Sequence, residues 1–167
     1  MKITVEVLKE KNACQDGIKY FQANFKEKEI EVKEVLQKLV EDNKYNWASW
    51  VVDNFKNSEE VEIIEGDLIS DKPLFFLSSI KIKGSIEAGG YIEAGGYIEA
   101  GGSIEAGEYI EAGRSIEAGE YIKTGIDYYI FVGISLKKGD VENYVKTKKI
   151  KSDGIGSIGT KFIKLEA

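Results

Sequence analysis

The sequence contains no histidine and a single cysteine, Cys14. The first absence removes the commonest acid/base group at neutral pH, the commonest metal ligand and the middle member of most nucleophile triads. The second excludes an internal disulfide and any cysteine-based metal site. No apolar run approaches the ~18 residues that a membrane span needs. The opening Met1-Lys2-Ile3-Thr4-Val5-Glu6 lacks the basic head, apolar stretch and small cleavage residues of a secretory signal. The expectation is a non-enzymatic protein of the cytoplasm, away from any membrane, with no catalytic residue, metal or cofactor. Chemistry by carboxylates, lysine or tyrosine is what the composition leaves open.

What is present is enough for a real core, since 43% of the 167 residues are hydrophobic. Charge is uneven. Residues 1–60 carry 10 basic and 12 acidic groups, residues 61–122 carry 4 and 12, and residues 123–167 carry 9 and 5. The chain therefore reads near-neutral, then acidic, then basic, an asymmetry that steers partners and leaves the fold undetermined.

Residues 4–55 have helical periods. Thr4 is placed to cap a helix to about Lys11, with Val5 and Leu8 on its buried side; an alternating strand over residues 1–8 (Ile3, Val5, Val7) is the competing reading. Asn12-Ala13-Cys14-Gln15 fits a capping box, and Cys14, Ile18, Phe21 and Phe25 then fall on one helical face. On that face Cys14 reads as a small buried hydrophobe. Gly17 inside this helix costs about 1 kcal/mol relative to alanine, which a close helix crossing would offset. Val32, Val35, Leu36, Leu39 and Val40 stripe a helix to Asp42, and Asn46 is positioned to cap a last helix carrying Trp47, Trp50, Val51 and Phe55. The two tryptophans are expected to close a small helical core, with a binding surface as the alternative.

The main signal is a repeat. From Ser85 the chain reads SIEAGG, YIEAGG, YIEAGG, SIEAGE, YIEAGR, SIEAGE, YIKTG. Ile86, Ile92, Ile98, Ile104, Ile110, Ile116 and Ile122 share one position of the six-residue period, and a glycine stands three residues after each. Six is no helical period, and glycine at this density melts helices. The period is even, so each isoleucine faces the same side. The glycine marks a corner. Three short faces close one coil of eighteen residues, isoleucines stack around a narrow interior, and ladder hydrogen bonds run between coils. A chain of tiny hairpins fails because four-residue strands give little ladder and later repeats lose the Gly-Gly pair. Disorder fails because it has no use for an invariant β-branched residue. Whether the alanine or the next residue points inward stays open from the repeat alone.

The coil is expected to extend upstream through Val61–Ile69 and Leu74–Leu77, and downstream through the alternation Ile126, Tyr128, Ile130, Val132, Ile134, Leu136. Short strands within Val141–Ile150 and Ile155–Leu165, with turns at residues 137–140 and 152–154, complete the tail. The fold class is α+β. A helical domain at 1–58 precedes a parallel β-helix at 61–134, regular over 84–125, and a β-rich C-terminal cap at 135–167. Caps are needed because open ends expose edge strands and core.

With eighteen residues per coil, Tyr91 stacks over Tyr109, Tyr97 over Ser115, Glu87 over Glu105, Glu93 over Glu111 and Glu99 over Glu117. Each face then presents an acidic ladder beside hydroxylic or aromatic groups. The candidate binding surface is this wall of glutamates with Tyr91, Tyr97 and Tyr109, together with Trp47 and Trp50. It suits a protein whose own surface is basic, such as one that grips nucleic acid; solubility is the competing reading. The glutamates are too regular for paired hydrolase carboxylates or a calcium site. Lys146, Lys148, Lys149 and Lys151 read as a solvated strand face, which argues against direct nucleic-acid binding.

The hexapeptide period with aliphatic residues resembles left-handed β-helix proteins, which implies a left-handed coil. Many of those are acyltransferases with a histidine base, so the likeness stops before catalysis. The SIEAG runs, the Ala13-Cys14-Gln15-Asp16-Gly17 motif, Trp47-Ala48-Ser49-Trp50 and Tyr129-Ile130-Phe131-Val132-Gly133 resemble small phage and prophage proteins of Firmicutes-like bacteria. That resemblance implies an inhibitor of a host defence complex, of the anti-CRISPR type, binding a host protein or complex. A structural or self-assembling solenoid, including a homodimer through the solenoid ends, is the alternative function. A carboxylate enzyme is the third.

Overall fold

The computed structural model describes residues 1–26, 29–57, 59–132, 144–152, 154–156 and 161–164. The chain divides into two compact units, Met1–Phe55 and Lys56–Ala167.

In the first unit, β1 (Lys2–Ile3) pairs antiparallel with β2 (Ile30–Glu31). Four helices are built around this pair: α1 (Val5–Glu10), α2 (Gln15–Asn24), α3 (Val32–Glu41) and α4 (Tyr45–Phe55). The chain is thus a two-residue strand and then a helix, so each reading of residues 1–8 holds for part of it. Thr4 caps α1, its hydroxyl accepting from the Val7 amide at 3.2 Å. The expected capping box is displaced. Asn12 adopts φ 60°, and its amide and that of Ala13 donate to the carbonyls of Lys9 and Leu8. It therefore closes the end of α1 in a Schellman arrangement, where asparagine tolerates the left-handed conformation. Asn43 (φ 56°) does the same after α3.

Cys14 is the cap of α2: it is exposed, and its sulfur accepts from the Gly17 amide at 3.3 Å. It is not the buried hydrophobe that its spacing suggested, because a cap lies outside the helix whose face the spacing describes. Gly17 likewise faces this sulfur, 3.4 Å from where a Cβ would stand. α4 begins at Tyr45, so Asn46 lies inside it and does not cap it. The core comprises Ile18, Phe21, Val32, Val35, Leu36, Leu39, Val51, Val52 and Phe55 among others.

In the second unit, each strand from Ile86 to Ala118 covers the isoleucine-to-alanine part of one repeat. The first face stacks β3 (Val61–Ile64), β6 (Ser79–Ile82), β9 (Ile98–Ala100), β12 (Ile116–Ala118), β15 (Tyr144–Thr147) and β18 (Lys161–Lys164). The second stacks β4 (Leu68–Ser70), β7 (Ile86–Ala88), β10 (Ile104–Ala106), β13 (Tyr121–Lys123) and β16 (Lys149–Lys151). The third stacks β5 (Leu74–Phe76), β8 (Ile92–Ala94), β11 (Ile110–Ala112), β14 (Tyr129–Val132) and β17 (Gly154–Gly156). All neighbours are parallel, and Ile86 pairs with Ile104, Ile92 with Ile110 and Ile98 with Ile116, the eighteen-residue coil. This is a three-faced parallel β-solenoid. The last strands, β15 to β18, cap its regular coils.

Each of the seven repeat isoleucines is 0% exposed, and the alanines are 0–5% exposed. The alanine therefore points inward, where its small side chain fits the narrowing corner. The glycine after it permits close stacking: a Cβ on Gly113 would lie 2.3 Å from the Gly95 carbonyl oxygen, one coil below. Beside this close approach the Gly113 amide donates to the Ala94 carbonyl at 3.0 Å, a ladder bond between coils. Short side chains cap corner amides of the next coil, Asp67 to Ser85 and Ser85 to Ser103.

The downstream alternation is corrected at its start. Ile110 pairs with Ile130, twenty residues on. The extra residues form a turn at Asp127 (φ 65°), which leaves Ile126 87% exposed and Tyr128 outside β14. Ile134, Leu136 and the turn at 137–140 lie outside the described residues, as does Asp153 of the other turn.

Candidate functional site

The solenoid turns every outward residue at the centre of a strand into a member of a column. On the first face the column runs Ile63, Lys81, Glu99, Glu117, Lys146. On the second it runs Ile69, Glu87, Glu105, Lys123, Lys151. On the third it runs Phe75, Glu93, Glu111, Phe131. The acidic ladder expected on every face is thus two residues tall, and on two faces it is answered by lysine.

Those lysines make ion pairs. Lys81 meets Glu99 at 2.6 Å, Lys146 meets Glu117 at 2.5 Å and Lys123 meets Glu105 at 2.9 Å. The bond to Glu99 raises the Lys81 ammonium above its ordinary value. Glu105 is held further by the Tyr121 hydroxyl. Hydrogen bonds from Tyr121 and then Lys123 lower its carboxyl below the ordinary range. Glu99, Glu105 and Glu117 are therefore engaged along the rod; of the six glutamates, Glu87 is the exposed one. The stacked glutamate pairs expected on each face are present, and lysines above and below the glutamate repeats stack onto two of them.

The third face differs in kind. Tyr91 and Tyr109 lie parallel, centroids 4.6 Å apart at an interplanar angle of 8°. That separation matches the spacing of adjacent parallel strands, so the backbone ladder itself sets the ring stack. Phe75 meets Tyr91 edge-on at 5.2 Å, Phe131 meets Tyr109 edge-on at 6.2 Å, and Tyr129 lies 6.3 Å from Phe131. Glu93, at 2% exposure, and half-buried Glu111 stand in the adjoining column. Burial, then the Glu93 charge, raises the Tyr109 hydroxyl above its ordinary value, keeping it neutral. Tyr97 sits apart, on the first face between Ser79 and Ser115.

In the helical unit Trp47 and Trp50 are half-buried and do not seal the core. They line a groove of about 290 Å³ with Leu8, Cys14, Phe21 and Leu39. Tyr20 packs edge-on against Trp47 at 5.3 Å and donates to Asp42 at 2.6 Å. Burial, and then that bond, raises the Tyr20 hydroxyl. Among the described residues, no group of three or more His, Cys, Asp or Glu is placed to hold a metal ion, and no helix is long and apolar enough to cross a membrane.

Sequence reasoning found Tyr91, Tyr109, Glu93 and Glu111 and missed Phe75 and Phe131, which frame them. The signal was present in outline: Phe75 lies eighteen residues before Glu93. Phe131 lies twenty after Glu111, out of step with the coil.

No curated protein and no solved structure matches the chain. The family model of the YdhT N-terminal domain matches residues 1–57, so the helical unit is similar to that domain, and the match stops where the solenoid begins.

Proposed function

We propose that the protein is a non-enzymatic structural scaffold of the cytoplasm, a short rigid rod that holds side-chain columns at fixed spacing for other molecules to dock on. The observation that carries this reading is the unbroken isoleucine column, 0% exposed through seven repeats. Its chemistry is uniform from coil to coil. On two faces Glu99, Glu117 and Glu105 form ion pairs with lysines of neighbouring coils.

The rod works as a single copy. At the first rung Glu62 pairs with Ile80 in the inward register. A charge at that position opposes stacking of a second chain on the open edge. Sedimentation velocity over a hundredfold concentration range tests this. The native chain should keep one sedimentation coefficient, and Glu62→Ile should add a concentration-dependent larger species. A native chain that already forms dimers or filaments would refute the single-copy scaffold.

A second reading is a phage-encoded inhibitor of a host defence complex, of the anti-CRISPR type. The resemblance of the SIEAG runs to phage and prophage proteins supports it, and so does the Trp47–Trp50 groove as a docking surface. Adding the purified chain to a reconstituted CRISPR effector and measuring target cleavage tests it. Stoichiometric loss of cleavage supports this reading, and full cleavage at excess inhibitor rejects it.

A further inference from the structure

The three faces of the solenoid share one repeat and differ in what brackets their glutamate pairs. Lysine stands next to the pair on the first and second faces, and phenylalanine stands at both ends of it on the third. None of β5, β8, β11 and β14 contributes a lysine or arginine, whereas β6, β13, β15 and β16 all do. The third face also has tyrosine directly over tyrosine, because the order of serine and tyrosine in the repeats places both Tyr91 and Tyr109 there.

We propose that the third face is a docking stripe for a cationic segment of a partner protein, with an arginine or lysine side chain held between the tyrosine rings and Glu111. This deepens the scaffold reading and rests on it. Exposure rises along the stripe, from Tyr91 at 8% to half-buried Tyr109 and then to Tyr129 at 47%. Tyr91 and Glu93 thus form a fixed floor, and Tyr109, Glu111, Phe131 and Tyr129 form the accessible part. Neither carboxylate needs to be free of other contacts for this. What the face offers is negative charge beside exposed π surface, the combination that favours a guanidinium or ammonium group over a neutral or anionic one.

The molecule already makes a contact of this kind. On the second face the Lys151 ammonium sits 5.0 Å from the centre of the ring of Tyr121, whose strand lies one coil above Glu105. The neutral Tyr109 hydroxyl keeps its ring from adding a charge of its own.

The test is a fluorescence anisotropy titration of the full chain with a labelled nona-arginine peptide, against a nona-glutamine control. Saturable binding of the arginine peptide alone is expected. Glu111→Gln and Tyr129→Ser should each weaken it by about tenfold, the scale of one lost cation–π or charge contact. Glu117→Gln, on the first face, should leave it within about twofold. Tyr129 is half-exposed, so its replacement leaves the core intact, and the far-UV spectrum of each variant checks the fold. Equal weakening by Glu117→Gln would show attraction to net charge alone and overturn the proposal, and so would absence of binding. With the sedimentation behaviour unchanged, either result removes the docking stripe and leaves the scaffold standing.

Discussion

Replacing Ile104 with alanine tests the physical basis of the rod. Ile104 is 0% exposed and lies between Ile86 below and Ile122 above. Removing its outer carbons forfeits about 2 kcal/mol of transfer free energy, at ~0.8 kcal/mol for each buried methylene-sized group. A cavity term adds to this wherever the surroundings fail to close in. Here they have little freedom. The coil is tied to both neighbours by ladder bonds, such as those from the Ile86 amide to Ser103, 2.9 Å, and from the Gly125 amide to Glu108, 3.1 Å. The inward alanine on the same strand offers no long side chain to swing into the gap. The expected loss therefore falls in the upper half of the usual ~2–5 kcal/mol range for such truncations, and Ile104→Val should cost ~0.5–1.5 kcal/mol. Urea unfolding followed by far-UV circular dichroism measures both, with the slope against urea checked for constancy. Glu87→Gln, exposed on the neighbouring strand, serves as the surface control. An Ile104→Ala loss under about 1 kcal/mol would mean that the interior is not close-packed and would refute the reasoning.

Two further outcomes follow from single contacts. Gly113→Ala drives a Cβ to 2.3 Å from the Gly95 carbonyl oxygen, itself backbone, so it should destabilise by about 1–3 kcal/mol, while neighbouring Arg114→Ala stays within about 0.5 kcal/mol in the same urea assay. Because Tyr121 and Lys123 lower the Glu105 carboxyl in the folded state, its contribution is fully present above the ordinary value of 4.5 and is lost as pH falls through the lowered value. The stability gap between the native chain and Glu105→Gln should be constant near neutral pH and shrink only below pH 4.5, and a gap that persists unchanged into stronger acid would contradict the assigned bonds.

Much of the solenoid was legible before any coordinates. An even period with an invariant isoleucine can satisfy burial in only one way, and a glycine every sixth residue marks where the chain turns. Those are local demands, repeated identically, so each repeat states them again. The helices were legible from their apolar stripes, and so were the Thr4 cap and the end of α3 at Asp42, while the starts of α2 and α4 were misread. Asn12 is a favoured capping residue and Cys14 is not, and which residue caps which helix depends on where the chain reverses direction. Asn12 in the left-handed conformation settles that by closing α1.

The candidate surface was half legible, for a different reason. Outward residues have no burial to fix them, so their meaning comes from what stacks above and below. Within the regular coils that neighbour is eighteen residues away and could be counted. Outside them it could not: Lys146 reaches Glu117 across twenty-nine residues and Phe131 reaches Glu111 across twenty. The sequence by itself determined the aliphatic interior and the corners, because burial and backbone crowding act within one repeat. Only the tertiary structure decided which glutamates are bracketed by lysine and which by aromatic rings, because that depends on how insertions outside the repeat shift the register of the last coils.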